Sequence, residues 1–120
     1  MGSFRDLIVY RKAFKLAMDI FWMTKGLPEE ERYALITQIR KSSRSVCSSI
    51  AEGYRKRKYE AHFVSKMTDA DMENRETQVW FDFSLSCKYI KRNEYDSFVE
   101  RSEEIGKLLN HMIENPEKYK

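Results

Sequence analysis

Apolar residues recur three and four positions apart along almost the whole chain. From about Leu7 to Lys25, the residues Tyr10, Ala13, Phe14, Ala17, Ile20, Phe21 and Thr24 form one helical stripe. Gly26 breaks it. Pro28 suits a first helical turn, and Glu29, Glu30 and Glu31 follow where the helix dipole favours acids. A second stripe, Tyr33, Ile36, Ile39, Ser43, Val46, Ile50 and Gly53, predicts a helix over 29–54. A third segment, 59–90, holds no Gly or Pro, and Phe63, Met67, Ala70, Thr77, Trp80, Phe81 and Cys87 share a broad side with Asn74 as a polar gap. The fourth, 94–113, carries Tyr95, Phe98, Ser102, Ile105, Leu109 and Met112, with Asn93 as its expected N-cap. Asn115-Pro116 ends it, and the tail Glu117–Lys120 is expected to fray.

No strand pattern competes. Four helices with short connections predict an all-α fold, an antiparallel up-down-up-down four-helix bundle. At 120 residues the chain is expected to be one domain, 1–120. The serines between Ser42 and Ser49 alternate with Val46, Cys47, Ile50 and Ala51 at helical period. That pattern fits a packed helix whose small side chains admit a close neighbour, not a disordered arginine–serine tract.

Composition adds exclusions. Hydrophobic residues make up 42% and charged residues 34%, with only 4 Gly and 2 Pro, which suits long helices. No apolar run approaches the roughly 20 residues that span a bilayer. The start, "MGSFRDLIVYRK", is interrupted by Arg11 and Lys12 and lacks a signal-peptide core. A cytoplasmic protein without membrane contact is therefore expected. Cys47 and Cys87 lie in no C-x-x-C pair and are expected to be reduced core residues.

Catalytic signatures are missing. A di-iron bundle needs Glu-x-x-His pairs, but Tyr59 and Leu108 stand three residues before His62 and His111. There is no G-x-S-x-G elbow and no phosphate-cradling P-loop. No catalytic residue, metal site or cofactor is expected.

The formal net charge is only +3, so an anionic partner can be argued only from clustering. One cluster exists. Arg40, Lys41, Arg44, Arg55, Lys56, Arg57 and Lys58 fall in a window whose single acid is Glu52. On a regular helix Arg40, Arg44 and Arg55 lie within about 60° of one another. Tyr54 and Tyr59 flank the basic run and could stack on bases. The plainer reading is a solvated helix end whose cations complement the dipole. Glu52, Glu73 and Glu76 have two readings as well: pairing within the subunit with Arg40, Arg75 or a helix end, or ion pairs that set register between subunits. Trp80 follows Glu76 on the same face and joins the interface candidates.

The opening "FRDLIVYRKA", the stretch "QIRKSSRSVCSSIAEG" and the stretch "ENRETQVW" together resemble the bacterial family of 23S ribosomal-RNA intervening-sequence proteins. That family is similar to the accessory variability protein of diversity-generating retroelements. The resemblance spans roughly Phe4 to Ile113. It implies a four-helix bundle assembled into a ring-like homo-oligomer, typically a pentamer, with a basic surface. It also implies RNA or DNA as a partner and, from the retroelement relative, a reverse transcriptase. Ser49 stands where many members carry Asn, so an Asn contact there is not carried over. The first expected function is a non-catalytic homo-oligomer that binds structured RNA through the cluster. The alternative is a protein-interaction scaffold, with exposed aromatics such as Trp22 or Tyr119 carrying the partner.

Overall fold

The computed structural model describes residues 2–120. Among them are four long helices and no strand: α1 (Ile8–Thr24), α2 (Thr37–Arg55), α3 (Glu60–Ser86) and α4 (Arg92–Glu114). Successive helices run in opposite directions, because pairs of contacts step oppositely along each neighbouring pair. Thr24, at the end of α1, meets Arg40 near the start of α2. Gly53, late in α2, faces Met67, early in α3, while Ser42 meets Thr77. Asn74 meets Ser102, and Asp82 meets Tyr95. Asp19 pairs with Arg101 and Lys12 with Glu104, which closes α4 onto α1.

The core lies along the bundle axis. Ile20, Ile39, Ile50, Phe63, Met67, Ala70, Phe81 and Leu109 are each sealed from solvent. Phe81 of α3 and Phe98 of α4 stack at 4.9 Å, an offset-stacking distance. The small residues of α2 sit on its inner face: Ser42, Ser43 and Gly53 are buried. A Cβ on Gly53 would stand 2.7 Å from Met67 Cε and 3.0 Å from Lys66 Cβ. Glycine is therefore what lets α2 and α3 touch at that end.

Several boundaries differ from the pattern reading, each for a local reason. The stretch expected to open the second helix is composite: a 3-10 turn at Glu29–Glu31, then a wide π turn at Arg32–Ile36 that runs into α2. The Glu31 carboxylate accepts from the Leu35 N–H, and the Thr37 hydroxyl donates to the Arg32 carbonyl. Helix α3 stops at Ser86 because Lys88 adopts φ 65°. The Tyr89 N–H then bonds the Ser84 carbonyl and the Lys88 N–H bonds the Leu85 carbonyl, which is a Schellman closure with Lys in the position usually held by glycine. Asn93 is not the N-cap of α4; Lys91 is, and the Glu94 carboxylate accepts its N–H at 2.8 Å. Cys87 is exposed rather than in the core, since it lies past the end of α3.

Asn74 is more than a gap. It is buried, and it exchanges two 2.9 Å hydrogen bonds with Ser102, whose hydroxyl also accepts from Gln78. The tail is ordered as a turn, Pro116–Tyr119. Tyr119 stacks on Phe63 at 5.8 Å and its hydroxyl meets His111 Nδ1 at 2.9 Å. Tyr119 is therefore half-buried and not the expected exposed aromatic. Among the described residues no helix is long and apolar enough to cross a membrane.

Candidate nucleic-acid interface

The basic residues of α2 divide into two groups. Arg40, Lys41 and Arg44 flank an open trough of about 540 Å³ on the middle of the helix, with Thr37, Ser45 and Ser48 as polar walls. Arg55, Arg57 and Lys58 line a second cleft of about 450 Å³ at the helix end, with Tyr59 and Lys120. Arg44 and Arg55 are eleven residues apart, so about 16 Å of helix axis separates the groups.

The middle group is built on α1. Arg40 Nε donates to Thr24 Oγ1 at 2.8 Å. The Arg40 guanidinium lies 4.7 Å from the centre of the Phe21 ring, Arg44 lies at 5.9 Å, and Lys25 Nζ at 5.0 Å. One aromatic ring thus gathers three cations, two from α2 and one just past the end of α1. Partial burial, and after it the like charge of Arg44, pull the Arg40 pKa below the usual guanidinium value. A guanidinium remains a cation even so. Among the described residues none of Arg40, Lys41, Arg44, Arg55, Lys56, Arg57 and Lys58 joins a salt bridge, whereas Lys12, Lys66, Arg75 and Arg101 do.

The end group is partly turned inward. Arg57 donates to the Tyr54 carbonyl at 2.9 Å and sits 4.0 Å over the Tyr54 ring. That is the dipole-complementing role of a cation at a helix C-terminus. Lys56 and Lys58 remain exposed.

The carboxylates do not pair as expected within the subunit. Glu52 is exposed and bridges to Lys66 of α3 at 2.8 Å, not to Arg40; Arg75 lies near Glu103 of α4. Glu76 accepts from Trp80 Nε1 at 3.2 Å. Burial, then the charge of Glu76, raises the Glu73 pKa, while Lys41 works against that. Trp80 is half-buried beside Phe83, and Met72, Val79 and Phe83 are exposed on the outer side of α3.

Reasoning from the sequence missed the contribution of α1. Phe21 and Thr24 belong to its apolar stripe and read as core, and Lys25 reads as a helix end. Only the register between α1 and α2 shows that these three residues frame the cations of α2. Among the described residues no group of three His, Cys, Asp or Glu side chains comes together to hold a metal.

A model of the 23S rRNA-intervening sequence protein family matches residues 5–111. The fold is similar to a solved protein of unknown function from the S23 ribosomal protein family of Bacteroides thetaiotaomicron. The two share 30% identity at a TM-score of 0.81, over 89% of this chain and 96% of that one. No curated protein matches. Neither matching description names a reaction.

Proposed function

Since this chain belongs to the 23S rRNA-intervening sequence protein family, we propose that it is a non-catalytic, homo-oligomeric protein that binds nucleic acid, structured RNA first, through the cations of α2. The observation that carries the reading is that Arg40, Arg44 and Lys25 gather over Phe21 and none of the three joins a salt bridge among the described residues. Charges of opposite sign are close to balanced over the chain, yet here cations are held together against their own repulsion with no acid in bridging reach. A phosphate backbone relieves that repulsion and releases counterions in doing so. One subunit offers a small charged face. Several copies in a ring, a pentamer in the arrangement proposed, multiply it. The exposed side of α3, with Met72, Val79 and Phe83 beside Glu76 and Trp80, is the surface on which copies would meet.

Binding of the purified protein to a structured rRNA fragment and a matched DNA duplex, over a salt series with particle mass recorded on the same sample, tests this. The expected result is an oligomer whose affinity falls steeply with salt. No binding at low salt would return the cations to a solvated surface.

A second reading is a scaffold for a protein such as a reverse transcriptase in the cytoplasm. It is favoured by Trp22, 62% exposed at the end of α1 although a tryptophan costs more than most side chains to leave in water. Co-purification of one defined protein by a ring without nucleic-acid affinity would support it over the first.

A further inference from the structure

We infer that the groove between α1 and α2 receives an unpaired base of a single-stranded nucleic acid whose phosphates lie on the adjoining cations. This rests on the nucleic-acid reading above and adds the form of strand that the site takes.

The groove opens beside the trough and has a volume of about 340 Å³. That is at the lower end for sites that take small organic groups. Its walls are aromatic. Tyr10 and Phe14 stack at 6.0 Å with planes 27° apart, and Phe4 stands edge-on to Tyr10 at 4.9 Å. Phe14 is nevertheless 51% exposed, so much of its ring has no protein neighbour. The base of the groove is made of small side chains, Ala17, Ala51 and Cys47. Burial pushes the Cys47 thiol up to about 11, so it lines the groove as a neutral group.

Arg44 and Ser48 belong to both the groove and the trough. A mostly apolar groove and a cationic trough thus share one wall. A nucleotide has the same two parts, a base with a π face and an anionic phosphate, a short distance apart. Aromatic platforms beside a positive channel are how single strands are held, because their bases can leave the stack. A duplex keeps its base faces covered and would meet the cations alone. A purely apolar occupant would satisfy Phe14 but would bury Arg44 with no acid to pair it.

The test compares the full-length protein with Phe14→Ala and with Arg40→Gln/Arg44→Gln on three probes. These are a short unstructured single-stranded RNA, the same strand with abasic positions, and its duplex. Particle mass and helicity are measured on each sample. Phe14→Ala is expected to weaken the single strand roughly five- to hundredfold, to leave the duplex and the salt slope unchanged, and to erase the preference for the intact strand over the abasic one. The arginine variant is expected to weaken every probe. Single-strand affinity untouched by Phe14→Ala overturns the base-binding inference while leaving the cation reading in place. A changed particle mass in Phe14→Ala also overturns it, by making the groove a contact between copies. Failure of the unaltered protein to bind any probe at low salt removes the nucleic-acid reading itself.

Discussion

Arg40 of α2 is held by Thr24 of α1: Nε donates to the hydroxyl at 2.8 Å, and that hydroxyl donates to the Phe21 carbonyl at 2.8 Å. Thr24 is almost wholly buried, so water does not compete for its oxygen. The contact makes the direction of one cation a property of the fold. It also links charge presentation to the packing of α1 on α2.

Thr24→Val keeps the side-chain shape and removes the acceptor. It is expected to lower stability by about 1 kcal/mol. It should also weaken nucleic-acid binding about two- to tenfold, because Arg40 must then be ordered on binding. Thermal melting and a binding isotherm on the same preparation check both. An unchanged isotherm would show that the Arg40 orientation contributes nothing to the interface.

Gly53→Ala sets two effects against each other. Alanine is the better helix former by about 1 kcal/mol. The added methyl, however, meets Met67 Cε at 2.7 Å and Lys66 Cβ at 3.0 Å. Met67 can turn aside, but the Lys66 Cβ is fixed to the α3 backbone, so the helices must separate. A net loss of about 1–2 kcal/mol is expected, read as a lower denaturant midpoint. A gain in stability would mean that the approach of α2 to α3 is looser than these distances.

Much of the fold was legible because periodicity reports burial directly. Val46, Ile50, Phe63 and Leu109 were placed inward by spacing alone, and they are. Ends were less legible. The stop at Ser86 depends on Lys88 entering a left-handed conformation, and no glycine announces it. The cations of α2 were visible as a run, but their division was not. Arg57 folds back on Tyr54, whereas Arg40 and Arg44 gather over Phe21. Which helix lies beside α2, and in what register, is a tertiary fact that a stripe of apolar residues does not encode. The carboxylates show the same limit: Glu52 found Lys66 across the α2–α3 seam.

Asn74→Ala is expected to destabilise by about 1–3 kcal/mol. It removes the second donor to the Ser102 carbonyl, which keeps its partner within α4, and takes the acceptor from the Ser102 hydroxyl, both at the α3–α4 seam. Replacing both partners, Asn74→Leu with Ser102→Ala, should recover part of the loss. A double variant worse than the single would show that the cost is one of volume and not of unpaired polar groups. Chemical denaturation of the unaltered protein, Asn74→Ala, Asn74→Leu and the double variant separates these.

The two thiols should differ in reactivity. Cys87 is exposed, while burial raises the Cys47 thiol to about 11. Alkylation near neutral pH, followed by mass spectrometry of peptides, is expected to modify Cys87 and spare Cys47. The linkage has a sign. A folded pKa above the ordinary thiol value of 9.0 stabilises fully below about 9, and that contribution is lost as pH rises toward about 11. Cys47→Ala should therefore lose less stability than the unaltered protein over that window. Equal alkylation of both thiols at neutral pH would contradict the burial of Cys47.

The claim on which the functional reading depends is that Arg40 and Arg44 contact phosphate. The slope of log affinity against log salt for one structured RNA, compared between the unaltered protein and Arg40→Gln/Arg44→Gln, measures it most directly. The expected result is weaker binding and a slope shallower by about 1.5–2 per variant subunit in contact with the RNA, with helicity and particle mass unchanged. The same slope and affinity in both proteins would contradict it.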